Sequence, residues 1–324
     1  MTLHQIHLFR ALVDNDFHLS KTADLMFISQ PGLSQQIKLL EESIGESLFL
    51  RKGKSIKGLS LIGEGFLKRS NEIIQSLQSF DADLKEFQSP NTGDLKIAVT
   101  HTQAKYFLPE KIIEFKKQFP NVELHIEQGN PVEISQMLKD HKVDFAMATE
   151  GLKDHKNIVA MPIYKWKRIA LSTLDHPLLK SKKKVSLNEL SKYPLITYSK
   201  GVAGRANMDQ SFSDKELSPN IILAAVDSDV IKTYSKLGLG VGVVADMAFD
   251  KKIDRGLHKI NLEDHSIGFS NNTSYMAYNE SFQLRNFHLG FISICASHVD
   301  IKKLPLLKRD SSYLADCLRR TPSL

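Results

Sequence analysis

The sequence predicts a chain in two parts, a small all-helical module joined by one long helix to an α/β body, and three observations carry that expectation. Over the first ninety or so of the 324 residues, apolar side chains recur at helical spacing. A break containing proline and glycine follows at 88–94. Beyond it, short apolar runs alternate with helical segments.

In the opening module Ile6, Phe9 and Val13 repeat at helical spacing, as do Leu33, Ile37 and Leu40, so each set defines one buried face. The stretch "HLSKTADLMFISQPGLSQQIKLLEE" divides into two helices near 20–26 and 29–42, with Ala23 small enough for close packing across a tight turn. With Leu33, Ile37 and Leu40 turned inward, Ser29, Gln30, Pro31, Ser34, Gln35 and Lys38 form an outward row rich in hydrogen-bonding groups and poor in carboxylates. Such a row suits base edges in a DNA major groove. A loop with Arg51, Lys52, Lys54 and Lys57 around Gly53 and Gly58 follows as a basic wing suited to phosphates, while Glu41, Glu42 and Glu46 are expected to face away. A plain helical hairpin with a solvated basic loop is the alternative; the order of helix, turn, polar helix and basic loop favours DNA.

From residue 63 the apolar residues Phe66, Ile73, Leu77, Phe80, Leu84 and Phe87 form the seam of a helix that needs a partner. "QSPNTGD" ends it. The runs at 95–99, 122–126, 145–148, 169–172, 195–198 and 241–244 then read as strands of a largely parallel sheet.

Where the first run ends, Thr100, His101, Thr102 and Gln103 stand together as the chain turns helical. They either cap that helix or cradle a small anion at its unpaired N–H groups. Asp227 is a cap for a later helix, and Ser228 beside it is a further candidate for binding the anion. "GLGVG" at 238–242 reads as a turn, because it follows a helix and precedes a strand, the reverse of a dinucleotide fingerprint.

Composition bounds the rest. A net charge of +6, 42% hydrophobic and 25% charged residues describe an ordinary folded chain. Cys295 and Cys317 are too few for a metal set or a disulfide framework, which fits a reducing compartment. The twelve histidines come without His-x-x-x-His, Gly-x-Ser-x-Gly or a Cys–His set, so neither catalysis, a metal nor a cofactor is expected. No export signal and no run of eighteen apolar residues is apparent, and a cytoplasmic, non-membrane protein is expected. Lys302, Lys303, Lys308, Arg309, Arg319 and Arg320 make 301–324 a basic tail, read as solvated in preference to DNA-bound.

"TADLMFISQPGLSQQIKLLEESIGESLFLRKGK" resembles the winged helix-turn-helix of LysR-type transcriptional regulators. "THTQAKYFLP", "DFAMATE", "PLITYSKGVAGR" and "DSDVIKTYSKLGLGVGVVADMA" resemble the effector domain of its CysB and Cbl branch, the regulators of sulfur assimilation. The resemblance implies a winged module at 1–62, a linker helix at 63–88, a hinge at 89–93 and a two-lobed effector domain at 94–300 like that of periplasmic binding proteins. Its first lobe would be about 94–163 with 269–300 and its second about 164–268. The resemblance further implies operator DNA, self-association to a homodimer and homotetramer, and RNA polymerase as partners. The implied effector is a small acidic metabolite: acetylserine, sulfate or thiosulfate, or adenylyl sulfate. Thr100, Thr102 and Gln103 would then be donors, Thr149 a facing hydroxyl, and Tyr164 and Trp166 a wall at the interlobe crossing. Where the branch has a threonine before Gly-Arg this chain has Ala203, which removes a donor worth roughly 0.5 to 1.5 kcal/mol. A free-standing solute-binding protein or an enzyme on the same scaffold is the competing expectation, and it leaves the first ninety residues without a role.

Overall fold

The computed structural model describes residues 1–324 apart from 54, 89, 90, 154, 181, 182, 203, 264–268, 270 and 271, and apart from the side chains of 75, 78, 79, 82, 83 and 85–88 within one long helix. The chain separates into two compact units, Met1–Leu84 and Lys85–Leu324.

The first unit opens with α1 (Leu3–Asp14), where Thr2 and Gln5 cap each other reciprocally: the Gln5 amide donates to Thr2 Oγ1 at 3.3 Å and the Thr2 amide to Gln5 Oε1 at 2.9 Å. Next come α2 (Leu19–Leu25) and α3 (Gln30–Ile44), the two helices expected from spacing. Leu8, Phe9, Leu12, Ala23, Leu33, Ile37 and Leu40 close on one core with Leu48, Phe49 and Ile56. Truncating Leu33 or Ile37 to alanine in such a core costs about 2 to 5 kcal/mol. The wing is an antiparallel hairpin of β1 (Phe49–Lys52) and β2 (Ser55–Leu59). It leads into α4 (Leu61–Gln88), where Gly63 is required because a Cβ there would lie 2.0 Å from the Leu48 carbonyl oxygen. Along the apolar seam of α4, Ile73, Phe80 and Leu84 are exposed, and the Phe87 side chain lies outside the described residues.

In the second unit β3 (Gly93–Val99), α5 (His101–Tyr106), α6 (Leu108–Gln118), β4 (Val122–Gln128), α7 (Pro131–Lys139), β5 (Phe145–Ala148) and β6 (Ile158–Trp166) begin one lobe. The other lobe holds β7 (Arg168–Ser172), α8 (Pro177–Lys180), α9 (Leu187–Leu190), β8 (Leu195–Tyr198), α10 (Arg205–Ser213), β9 (Ile221–Ala225), α11 (Ser228–Lys236), β10 (Val241–Ala245) and β11 (His258–Ile260). Then β12 (Asn272–Asn279) returns to the first lobe, followed by α12 (Asn286–Cys295), α13 (Leu306–Arg309) and α14 (Ser311–Arg320).

Each lobe has a five-stranded sheet, ordered β4-β3-β5-β12-β6 and β11-β7-β10-β8-β9. Strand β3 is parallel to β4 and β5, and β8 to β9 and β10, whereas β12 and β7 run antiparallel to their neighbours. The sheets are therefore mixed and not largely parallel. The reason is the crossing: β6 and β7 are separated by Lys167 alone, so a strand entering a lobe from the cleft runs against the strands that end there.

The C-terminal segment also departs from expectation. Leu304, Leu307 and Cys317 are buried in the core of the first lobe, and Ser323 pairs with Lys165 of β6. The Lys165 amide donates to Pro322 O at 2.7 Å and the Leu324 amide to Lys165 O at 2.9 Å. Helical spacing gives this segment an apolar face, so it folds onto the lobe instead of forming a solvated tail. Its basic groups stay outward, with Lys308 and Arg309 paired to Glu280.

Candidate functional site

Parallel strands that end at one place leave their carboxyl ends and the following helix N-termini facing a common crevice, the usual site of ligands in α/β folds. Here β3 ends at Val99, one residue before Thr100, β5 at Ala148, one residue before Thr149, β9 at Ala225, three residues before Ser228, and β10 at Ala245. A narrow cleft with a cavity volume of only about 20 Å³ is lined by Thr100, Thr102, Gln103, Pro131, Thr149, Tyr164, Trp166, Ala245, Met247 and Ser274.

Thr100 occupies the N-cap position of α5, yet its side chain accepts no bond from the helix amides. Its hydroxyl instead donates to Gln103 Oε1 at 3.2 Å. Thr102 and Gln103 are buried. Across the cleft Trp166 Nε1 donates to Thr149 Oγ1 at 3.3 Å, and Thr149 Oγ1 lies 3.2 Å from Ser274 Oγ. Burial pushes the Tyr164 phenol up to about 12, against the opposing hydrogen bonds of Ser274 and Gln103, so it remains a neutral hydroxyl at physiological pH. The walls thus offer hydroxyl, amide and indole groups.

On the second lobe, Ser228 is the first residue of α11 and is fully buried; Asp227 caps the helix by accepting from the Asp229 and Val230 amides. Among the described residues Ser228 Oγ finds no hydrogen-bond partner of normal geometry. It stands close to the Tyr198 hydroxyl, which accepts from the Ala245 amide at 3.2 Å. Burial raises the Tyr198 phenol above its ordinary value, opposed by the Ala245 amide and the Thr102 and Ser228 hydroxyls. Tyr198 thus stands near hydroxyls of both lobes, Thr102 of the first and Ser228 of the second. Neither Tyr198 nor Ser274 is evident from motif spacing; the only signal is that Tyr198 is the last residue of a strand-like run.

Ala203 lies outside the described residues. The adjacent Gly204, at φ 65°, is seated on buried Arg168, which donates to the Gly204 carbonyl and, at 3.0 Å, to Asn272 Oδ1. The Arg168 guanidinium is 5.0 Å from the Trp166 ring. Burial pushes its pKa down to about 10, with Tyr198 and Glu150 acting the other way. Arg168 begins β7 and Asn272 begins β12, so this contact ties both crossings to the turn before α10.

Among the described residues, two groups have metal-ligand spacing. Asp94, Glu123 and His125 form one on an exposed sheet edge, and His101, Asp227 and Asp229 form the other. In the second, the ammonium groups of Lys105 and Lys232 already neutralise Asp229, which opposes a cation.

In the first unit, Ser29 caps α3 by accepting from Gly32 N at 3.2 Å, and Gln30, Pro31, Gln35 and Lys38 are exposed, with Ser34 half-buried. Lys38 Nζ is 3.6 Å from Glu42 Oε1, an exposed pair that leaves the ammonium free to exchange partners. Lys52 is exposed and Lys54 lies outside the described residues. Arg51 is held by Glu41 at 2.9 Å, and Glu41 also accepts from the Leu48 and Phe49 amides. Glu41 therefore faces the wing, contrary to expectation, because those amides need an acceptor. Phe27, at φ 53° and 95% exposed beside α3, is an aromatic group that the apolar pattern does not single out.

A winged helix-turn-helix carried on the same chain as a two-lobed ligand cleft defines a DNA-binding regulator controlled by a small molecule. The chain matches the family model for the bacterial regulatory helix-turn-helix protein, lysR family, over residues 3–63, and that for the LysR substrate binding domain over 88–300. It belongs to the LysR-type transcriptional regulators and is not an enzyme. The regulator CysB of Burkholderia cenocepacia is 42% identical over 289 residues, 89% of this chain and 90% of that protein. The cofactor-binding domain of the Cbl regulator superposes with a TM-score of 0.64 at 36% identity, covering 68% of this chain and 95% of that one. Full-length CbnR, solved with its target DNA, shares the fold at 16% identity, with a TM-score of 0.62 over 91% of this chain and 99% of that one. No helix among the described residues is long and apolar enough to cross a membrane.

Proposed function

We propose that this regulator acts in the cytoplasm on genes of sulfur assimilation or cysteine biosynthesis, and that its cleft takes a small acidic metabolite. The observation that carries this reading is Thr100: the residue at the cap position of α5 leaves the first-turn amides without a side-chain acceptor, beside a cleft walled by neutral donors. Thr100, Thr102, Gln103 and Thr149 bind the anionic end, Ser228 closes on it from the second lobe, and Tyr164 and Trp166 contact the rest. Acetylserine and adenylyl sulfate fit this division better than bare sulfate or thiosulfate, because Ala203 supplies no hydroxyl.

On the DNA side, Ser29, Gln30, Pro31, Ser34, Gln35 and Lys38 read or grip the operator, while Arg51, Lys52 and Lys54 meet phosphates. The exposed Ile73, Phe80 and Leu84 pair two linker helices in a homodimer, which further contacts raise to a homotetramer. RNA polymerase is the downstream partner. The test is fluorescence anisotropy of DNA from upstream of sulfur genes with and without acetylserine: specific binding that shifts with the metabolite supports the reading, and indifference to both sequence and metabolite opposes it.

A further inference from the structure

Helix α5, which carries the candidate donors Thr102 and Gln103, is bridged to α11 across the cleft by a set of groups that do not line it. Lys105 Nζ donates to Asp229 Oδ2, Tyr106 OH donates to Asp229 Oδ1 at 2.9 Å, and His101 Nε2 lies 3.5 Å from Asp229 Oδ2. Lys232 Nζ lies 3.4 Å from Asp229 Oδ1 and donates to Tyr106 OH at 3.2 Å, to Ala248 O at 2.8 Å and to Asp254 Oδ2 at 3.1 Å. Lys105 and Tyr106 belong to the first lobe; Asp229, Lys232 and Asp254 belong to the second. The two ammonium groups balance the two carboxylates.

An exposed ion pair contributes little, since solvent screens it and two long side chains lose freedom. This network is different at its centre. The Lys232 and Asp254 side chains are only 9% and 11% exposed, and Tyr106 is shared between Asp229 and Lys232, so breaking one bond leaves a poorly solvated partner unpaired. Its position matters too: Asp229 follows Ser228 directly, and Lys105 stands one helical turn after Thr102. The bridge therefore joins α5, whose first turn lines the cleft, to α11, whose first residue Ser228 is buried close to Tyr198.

We propose that Asp229, bridged by Lys105, Tyr106 and Lys232, is a positioning residue that clasps α5 to α11 and so sets how tightly the cleft holds its effector; this rests on the cleft being the effector site. The clasp acts by ordering α5 before the ligand arrives, which spares the ligand that cost.

The test uses the full-length chain as wild type, Asp229→Asn, Lys105→Met and the double variant. Amide hydrogen exchange over 101–106 and calorimetric titration with acetylserine and with sulfate are measured on each. Each single change should speed exchange in α5 about ten-fold, and the double variant should be no faster than the faster single one, because both remove the same bridge. Acetylserine affinity should fall by a similar factor. Unchanged exchange in α5, effects that multiply in the double variant, or faster exchange with unchanged affinity would each overturn the proposal. If the wild type binds neither acetylserine nor sulfate, the effector reading fails, and exchange alone still decides whether the clasp exists; Lys105 is half-exposed, so its variant keeps the test open if Asp229→Asn does not fold.

Discussion

Replacing Gly204 with alanine tests whether the turn before α10 is fitted to the crossing beneath it. Gly204 has φ 65°, where an L side chain costs roughly 1 to 2 kcal/mol. A Cβ there would stand 2.6 Å from Arg168 Nη2 and 3.1 Å from Asn272 Oδ1, so the guanidinium must shift away from the Gly204 carbonyl it bonds. Weakening a hydrogen bond to a buried charged group adds about 1.5 to 3 kcal/mol. Relaxation recovers part of the sum, leaving roughly 2 to 4 kcal/mol of destabilisation. For a unit of this size that lowers the melting temperature by roughly 5 to 10 °C, readable by differential scanning calorimetry in the transition of the second unit. Arg168→Met in the same background should then add much less than it does alone, because the two changes share one contact. A Gly204→Ala protein that melts within a degree of wild type would refute the argument that Arg168 and this turn are mutually fitted.

Three further outcomes follow from the same geometry. Gln35→Ala with Lys38→Ala should weaken operator binding by about 1 to 3 kcal/mol in anisotropy titrations while leaving the fold intact, since both side chains are exposed on α3. Leu77→Glu should shift the full-length chain to smaller species in light scattering, because a charge in an apolar helix seam cannot be covered by a second helix. Although burial would raise the Asp229 carboxyl, hydrogen bonds from Lys105 and Tyr106 and the charges of Lys105 and Lys232 prevail and hold it well below the usual 3.8. A depressed carboxylate stabilises the fold fully above its unfolded value and loses that contribution as pH falls from about 4 toward the folded value. Acid unfolding should therefore be less steep in Asp229→Asn than in wild type over that window, and identical acid limbs would contradict the assignment.

How far the fold was legible depended on what each element is made of. The helix-turn-helix could be read because Leu33, Ile37 and Leu40 keep strict helical spacing, and the break at 88–94 because proline and glycine stop a helix. Strands at 145–148 and 195–198 stood out as short buried runs and lie where expected. Strands β6, β9 and β12 did not, because β6 carries Pro162 and Lys165, β9 shows no clean alternation, and β12 mixes Asn, Thr and Ser with its apolar residues. Those polar residues are explained by the crossing: Asn272 meets Arg168 and Ser274 meets Thr149, partners 104 and 125 residues away in sequence. The same limit applied to the cleft. Thr100, Thr102 and Gln103 form one local cluster at the start of α5 and could be suspected from the sequence. Tyr198 and Arg168 act through contacts between lobes, which spacing along the chain does not reveal.

The central claim is that the cleft beside α5 binds the effector through neutral donors, and Thr102→Val addresses it most directly because it keeps the side-chain shape while deleting the hydroxyl. Calorimetric titration of the full-length wild type and this variant with acetylserine, adenylyl sulfate and sulfate is the decisive measurement. The wild type should bind the larger acidic metabolites more tightly than sulfate, and the variant should lose about 1 to 3 kcal/mol, roughly five- to a hundred-fold in affinity. A variant that binds every wild-type ligand equally well would contradict it and return Thr100, Thr102 and Gln103 to the role of a helix terminus.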